Sequence, residues 1–287
     1  MILTFDTPYR PLTSRPFLKN STYREYAPCE ALRPYVACFW AVNHGQADGA
    51  GIESGLSEHN PPGTVRVIPD TCIDMIIEVN YTKNRIKSRL CGIQDYTVFV
   101  NQRRDGDQVD SFAVRFYFWA ARLFFDLEFR DLCNQVLDLD LIEPGSTAAF
   151  EPFFYCRPIR ERMAWMEDFL LHRLEPDRHN ANLYLAIDSI LKCRGSVTVK
   201  QICESTCISQ RQMERLFIRD IGISMKRTAS LVRYQNVWGD VVRQKQFSVQ
   251  DAVCRYGYSD QSHLLNEFRR FHGVWPEQAK RIALECV

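Results

Sequence analysis

Two groups of hydrogen-bonding and cationic side chains lie in the last third of the chain. The first is Gln210, Arg211, Glu214 and Arg215; the second is Gln261, Ser262, His263 and Asn266, followed by Arg269 and Arg270. In each group the spacing is that of a helix presenting one polar face. Met213, Leu216 and Phe217 supply the apolar side of the first, and Leu264, Leu265, Phe268 and Phe271 that of the second. An arginine can donate twice to guanine O6 and N7, and a glutamine or asparagine can pair twice with adenine; Ser and His suit bases or phosphates. A helix that reads DNA does so with its N-terminal turns, where these residues fall. A lone histidine is often a packed one, but the helical position of His263 turns it outward.

The two groups belong to a repeat. Val199-Lys200-Gln201-Ile202-Cys203, Ile208-Ser209, Met213, Phe217 and Gly222-Ile223 recur as Val249-Gln250-Asp251-Ala252-Val253, Tyr258-Ser259, Leu264, Phe268 and Gly273-Val274. The offset is 50 residues up to the Ser pair and 51 from Met213 and Leu264 onward, so one residue is inserted between. Each copy predicts a short helix, a tight turn, a serine cap (Ser209 and Ser259) and a second helix, which is the helix-turn-helix layout. Between the copies, Ser224 to about Val242 reads as one long amphipathic helix carrying Leu231, Val232, Val237 and Val241. Such a spacer would hold two reading helices about 34 Å apart, matching successive major-groove segments on one face of DNA.

The rest of the chain must position these helices. At 287 residues, with 46% hydrophobic and 25% charged content, about two globular domains are expected. Net charge is only +1, but residues 180–287 hold sixteen basic against ten acidic residues, and residues 1–179 twenty against twenty-five. A basic C-terminal part fits a nucleic-acid module joined to a different one. The eleven cysteines include no CxxC pair, the first twenty residues carry three prolines and no apolar run, and no stretch of eighteen apolar residues occurs. The expectation is a cytoplasmic protein with reduced thiols, no membrane span and no cysteine-held metal.

The fold class expected is α+β: a β-rich, cupin-like or sandwich domain over 1–150, a connector over 151–179, and an all-α domain of two helix-turn-helix units over 180–287. Strands are expected from Val36, over Val65–Ile68, Ile73–Val79, Cys91–Val100 and Ser111–Phe116, with Asn43–Gly63 a long loop and Asn80–Arg89 an exposed charged connection. Ala120–Phe125 and Phe129–Val136 read as short helices. Ile159, Met163, Met166, Leu170 and Leu174 mark an amphipathic helix with Arg157, Arg160, Glu161, Arg162 and Glu167 on its other side. It either packs on the β domain or forms a dimer seam with a second copy. Glu175–Asn180 reads as a linker, and Gly195 as the C-cap of a helix starting at Ala181.

From about 183 to 284 the chain resembles the AraC/XylS family of DNA-binding domains. The resemblance rests on Ile208-Ser209, Arg215-Leu216-Phe217, Gly222-Ile223-Ser224, Arg233, the run Tyr256 to Leu264, and Phe268-Arg269-Arg270-Phe271-His272-Gly273-Val274-Trp275-Pro276. Met225 stands where the family usually has Pro, Thr228 replaces an aromatic, Val237 a small residue, and Ala252-Val253 inverts a large-then-small pair. The resemblance implies a transcription regulator, not an enzyme, with double-stranded DNA and RNA polymerase as partners. It places Arg211, Arg215, Gln261, Ser262 and Asn266 at base-contacting positions. The N-terminal part resembles a β-rich domain of unassigned role found ahead of this module, on Pro69-Asp70-Thr71-Cys72-Ile73-Asp74-Met75-Ile76 and Val114-Arg115-Phe116; Tyr117-Phe118-Trp119 then departs from the usual Pro and Gly.

An N-terminal sensing domain would need an effector site. The dense aromatic group, with Trp40, Phe116, Phe118 and Trp119 as candidates, is either the lining of an apolar pocket or simply core. Asp70 and Asp74 flank a turn and read as turn-capping carboxylates, the other reading of such a pair being general acid/base work. His44, His59, Glu53 and Glu58 lack the spacing of a metal site, and no cofactor is expected. Two rival readings are a thiol redox regulator and a DNA-modifying enzyme. The second would need a Pro-Cys-His-type nucleophile, and Cys29 follows Pro28 but precedes Glu30.

Overall fold

The computed structural model describes residues 5, 9–12, 23–43, 64–101 and 106–285. Alternating apolar residues build the N-terminal half from β1 (Tyr23–Tyr26), β2 (Val36–Asn43), β3 (Thr64–Val67), β4 (Cys72–Asn80), β5 (Arg85–Cys91), β6 (Val98–Asn101), β7 (Val109–Tyr117) and β8 (Val136–Asp138). Six of them form an antiparallel sheet in the order β1-β2-β7-β4-β5-β8, and β3 and β6 pair as a separate ribbon. The nested pairs β2·β7, β3·β6 and β4·β5 fold one double strand back on itself, the pairing of a jelly roll.

One sheet face is the core. Ile73, Met75, Ile77 and Val79 point inward from β4 while Asp74, Ile76 and Glu78 alternate outward. Phe39, Phe112, Val114 and Phe116 join them, and Phe124, Phe125, Phe150 and Phe153 cover that face. Ring pairs run through it, Phe39–Phe112 at 5.6 Å, Phe112–Phe153 at 5.4 Å and Phe116–Phe124 at 5.0 Å, and burial of this apolar area is the main driving force of the domain. The opposite face is polar. Register sets Arg115 opposite Asp74, and its Nε and Nη2 donate to that carboxylate at 3.0 and 2.9 Å. The Trp40 indole donates to the same group at 3.0 Å. Asp70 lies 3.4 Å from Arg115 and accepts from the Cys72 amide at 3.0 Å, so it caps its turn as expected, whereas Asp74 lies within β4 and serves Arg115 instead of the turn. Burial pushes the Asp70 carboxyl up against the pull of Arg115.

Several local expectations fail here for identifiable reasons. The charged stretch before Cys91 is β5 rather than an exposed connection. Ile86, Ser88 and Leu90 alternate inward against Arg85, Lys87 and Arg89, and Arg89 pairs with Glu78 at 2.6 Å. Residues 92–97 leave the sheet, and the strand resumes at Val98. Phe129–Val136 is not helical: Asp131 and Asn134 adopt positive φ of 66° and 61°, breaking the helix the apolar spacing suggested. Ala121–Leu123 is a single 3-10 turn.

Two one-turn helices, α1 (Leu139–Ile142) and α2 (Ser146–Ala149), lead to α3 (Ile159–Arg173). Of its two readings α3 takes the first, packing on the β domain through Met166 and Leu170, with Trp165 against Phe153 at 5.4 Å. Arg162, expected on its polar side, is 2% exposed. Its Nε donates to Cys156 O at 2.6 Å and its Nη2 to Tyr81 Oη at 2.6 Å, with Asp110 3.3 Å away, so its buried charge is met on several sides. Glu167 likewise turns inward and accepts from the Cys29 amide.

The C-terminal part is α4 (Ala181–Lys192), α5 (Val199–Thr206), α6 (Gln210–Asp220), α7 (Met225–Arg243), α8 (Val249–Tyr256), α9 (Gln261–His272) and α10 (Pro276–Glu285). Asn180 caps α4 by accepting from Leu183 N. Its C-cap is Cys193 rather than the expected Gly195, which lies two residues on with φ +80°; a Cβ there would meet Ala229 O at 2.3 Å, so only glycine lets the chain pass this close to α7. No helix of the described residues is long and apolar enough to cross a membrane.

Candidate nucleic-acid interface

Each unit is built from its caps outward. Thr198 opens α5 with a reciprocal capping box to Gln201. Cys207, at φ 54°, ends α5, and Gly257, at φ 65°, ends α8 at the equivalent position 50 residues on. Only Ile208 separates Cys207 from Ser209, whose hydroxyl accepts from Gln212 N and caps α6. Tyr258 and Ser259 both separate Gly257 from the next cap. The inserted residue therefore lies in the turn, and it moves the cap from the expected Ser259 to Asp260, which accepts from His263 N at 2.8 Å. The Ser259 hydroxyl instead bonds Asp260 Oδ2 at 3.0 Å and lies 3.1 Å from His263 Nδ1. Asp260→Ala should lower the thermal midpoint by about 2–4 °C and Ser259→Ala by clearly less, measured by calorimetry; the reverse order would restore Ser259 as the cap.

α6 is held by Met213 and Phe217, both fully buried, and α9 by Leu264, Phe268 and Phe271. Tyr234 and Trp238 of α7 pack on Phe268 at 5.4 and 6.2 Å. Glu267, 9% exposed, accepts from Arg233 at 2.8–3.0 Å and from Tyr258 Oη at 2.8 Å. The Arg233 guanidinium lies 4.2 Å over the Tyr258 ring. This buried, fully bonded pair ties α9 to α7, and removing one partner would strand the other charge. Burial, with Glu267 adding to it, pushes the Tyr258 phenol far up.

The outer faces carry the residues singled out in the sequence. Gln210, Arg211, Arg215, Gln261, Ser262, His263, Asn266, Arg269 and Arg270 are all exposed. Arg211 and Arg215 have no ion-pair or hydrogen-bond partner among the described residues. Glu214 is half-buried and accepts from Met225 N at 3.2 Å, so it serves the start of α7. Arg269 lies 4.7 Å over Trp275 and Arg270 4.5 Å over Phe271, which draws both toward the trailing end of α9. Each unit thus presents a first turn rich in donors, and α7, 19 residues or roughly 28 Å long, stands between them.

The sequence did not show how the trailing ends are held. Phe129 N donates to Arg219 O at 2.7 Å at the end of α6. At the end of α9, Thr97 Oγ1 donates to Phe271 O at 2.9 Å and Arg66 Nη1 to His272 O at 3.1 Å. The grips fall beside Gly222 and Gly273, which are repeat equivalents. A Cβ on Gly222, whose φ is +93°, would stand 2.6 Å from Phe129 O. Arg122 approaches Asp220 at 3.8 Å, Arg227 pairs with Asp95, and Leu12 N donates to Gln235 Oε1 of α7 at 2.7 Å. The paired glycines were visible in the sequence; nothing there named their partners.

Of the four candidate effector residues, Phe118 and Trp119 pack edge to face at 4.9 Å. Phe116 and Phe118 are fully buried and Trp119 is 6% exposed, whereas Trp40 lies on the other sheet face. Among the described thiols, burial pushes Cys91 and Cys133 up to about 12, and Cys38 and Cys72 further, away from the thiolate that reacts. Cys193, Cys207 and Cys254 are exposed. No three potential metal ligands converge among the described residues; His44, Glu53, Glu58 and His59 lie outside them.

Residues 24–138 match a family model described as a domain of unknown function, and residues 202–282 match a helix-turn-helix domain. No curated protein matches the chain. Among solved structures, the C-terminal domain of AraT, a response regulator from Geobacillus stearothermophilus, is 20% identical with a TM-score of 0.34, covering 36% of this chain and 85% of that one. An AraC-type transcriptional regulator from Chromobacterium violaceum is 18% identical with a TM-score of 0.33, over 36% and 92%. ToxT from Vibrio cholerae O395, bound to (E)-4-(8-methylnaphthalen-1-yl)but-3-enoic acid, is 10% identical with a TM-score of 0.42, over 77% and 95%. At such scores these likenesses say nothing of function. Two capped units 50 to 51 residues apart, the Tyr256–Pro276 run and the matched model together make the C-terminal part of this chain a helix-turn-helix domain of the AraC type.

Proposed function

We propose that the chain is a sequence-specific DNA-binding transcription regulator of two functional parts, 1–150 as the sensing domain and 180–287 as the DNA-binding domain, joined by 151–179. The reading face consists of Gln210, Arg211 and Arg215 on α6, and Gln261, Ser262, His263 and Asn266 on α9, with Arg269 and Arg270 beyond. The observation that carries this is the pair of exposed first turns, each backed by a buried apolar face. A small effector held by the sensing domain would control them. The support for control is the polar grip on the trailing ends of both α6 and α9 by elements of the N-terminal half. An effector shifts such an arrangement only by binding one state better than another. RNA polymerase and a second copy of the chain are the further partners this reading implies, in the cytoplasm.

Selection of duplexes from a random library by the full chain tests the reading: a bipartite motif should emerge, and enrichment of no sequence would sink it. The grip is tested by binding the selected duplex with its two halves moved one base pair apart or together. The wild type should lose affinity about tenfold on such a change, because its reading helices are fixed in separation. Arg66→Ala with Thr97→Ala should lose only about two- to threefold. Equal penalties in both proteins would remove the N-terminal half from the control of spacing.

A further inference from the structure

The two units begin their reading helices with the same residue, Gln210 and Gln261, but hold it differently. Gln261 Nε2 donates to Gln250 Oε1 at 2.7 Å, from the first turn of α9 to the first turn of α8. The repeat equivalent of Gln250 is Lys200, which reaches Glu204 of its own helix at 3.8 Å. Gln210 has no hydrogen-bond partner among the described residues. One amide–amide bond therefore sets these two equivalent glutamines apart.

Resting on the DNA-binding reading above, we infer that Gln250 is a positioning residue that orients the Gln261 amide for base readout. The bond uses one of the two N–H groups of Gln261. The other N–H and Oε1 stay available as an adjacent donor and acceptor, the complement of adenine N7 and N6–H. An exposed glutamine otherwise samples many rotamers and loses that freedom on binding. Holding the amide beforehand removes much of this loss, and it also disfavours partners that need the opposite donor order. The net beside it acts in the same sense, since Ser259 bridges Asp260 and His263. The second unit is the preset reader, and the first, whose Gln210, Arg211 and Arg215 have no partner among the described residues, adapts to its half-site.

The test uses the full chain and duplexes selected by it. The base pair read by Gln261 is defined as the one whose preference is lost in Gln261→Ala, and the readout is the ratio of dissociation constants for the preferred and the exchanged pair there. Gln250→Ala should lower that ratio about fivefold while leaving the ratios at the first half-site unchanged. Gln250→Glu keeps an acceptor for Gln261 Nε2, so it should keep the ratio within about twofold even as its charge weakens binding to every duplex. A loss of α8 stability alone would weaken all duplexes by one factor and move no ratio. The inference falls if Gln250→Ala leaves the ratio intact, if Gln250→Glu fails to retain it, or if Gln261→Ala loses no preference. If the wild type enriches no sequence, the DNA-binding reading itself has failed.

Discussion

Arg211→Ala with Arg215→Ala is expected to weaken binding to the selected duplex by a hundredfold or more, about 10- to 100-fold for each arginine. Both guanidiniums stand exposed on the first turns of α6 without a partner among the described residues, so nothing within the protein is lost when they go. The thermal midpoint should accordingly stay within about 1 °C of the wild type, since surface substitutions away from special features are close to neutral. Arg178→Ala is the matched control. It removes a cation that lies 4.0 Å from Asp126 in the connector, far in sequence from either reading helix, and should change affinity less than about twofold. The chemistry also fixes where discrimination is lost. Arginine suits guanine, and the Gln, Ser, His and Asn of α9 suit A·T pairs, so the double variant should relax preference at a G-rich half-site and leave the A·T-rich one intact. Equilibrium anisotropy across a salt series separates the two contributions. A uniform loss over all sequences would mean that the arginines touch phosphates only, and a loss equal to that of Arg178→Ala would remove them from the interface.

The C-terminal layout was legible because it is local. Helical periodicity, cap residues and the 51-residue offset each depend on neighbours in the chain, and Met213, Phe217, Leu264 and Phe268 were placed inward on that basis alone. Two details differ: Glu214 turns to the amide that starts α7, and the second cap shifts with the inserted residue. A serine and an aspartate stand side by side at Ser259-Asp260, both good caps, and only the path of the turn decides between them. In the N-terminal half, β4 and β7 were visible from composition, whereas β5 was masked by its charges. Arg85, Lys87 and Arg89 look like a solvated run until the register against β4 shows them sharing an outer face with Glu78. Arg162 was misplaced for the same reason. Its buried site exists only because Tyr81, Asp110, Cys156 and Phe153 converge from three parts of the chain. The grips on Arg219, Phe271 and His272 carbonyls are equally non-local, and backbone acceptors leave no trace in side-chain identity.

His272 should make the fold acid-labile well above the range where carboxylates titrate. It ends α9 fully buried, 2.8 Å from the Tyr234 hydroxyl through Nδ1 and stacked 5.0 Å from Phe268, and its carbonyl is the one gripped by Arg66. Burial first, and the nearby Arg66 charge second, lower its pKa from 6.5 to about 3. A base whose folded pKa is depressed binds its proton more weakly in the native than in the unfolded state. Its contribution to stability is therefore fully present above pH 6.5 and is lost as pH falls from there toward 3. The slope is about 1.4 kcal/mol per pH unit, so roughly 2 kcal/mol is gone at pH 5. His272→Gln keeps a side chain able to bond Tyr234 but cannot take up a proton. Whatever its stability at pH 7.5, it should lose about 2 kcal/mol less than the wild type between pH 7 and pH 5 in urea titrations. Parallel pH profiles for the two proteins would show that His272 is protonated in the native state, at odds with its burial beside Arg66. Because the same residue joins α9 to the β3–β6 ribbon, acid should loosen the second unit before the first. Amide exchange at pH 5 should rise at the C-terminal end of α9 while the end of α6, held by Phe129 and without a histidine, remains protected.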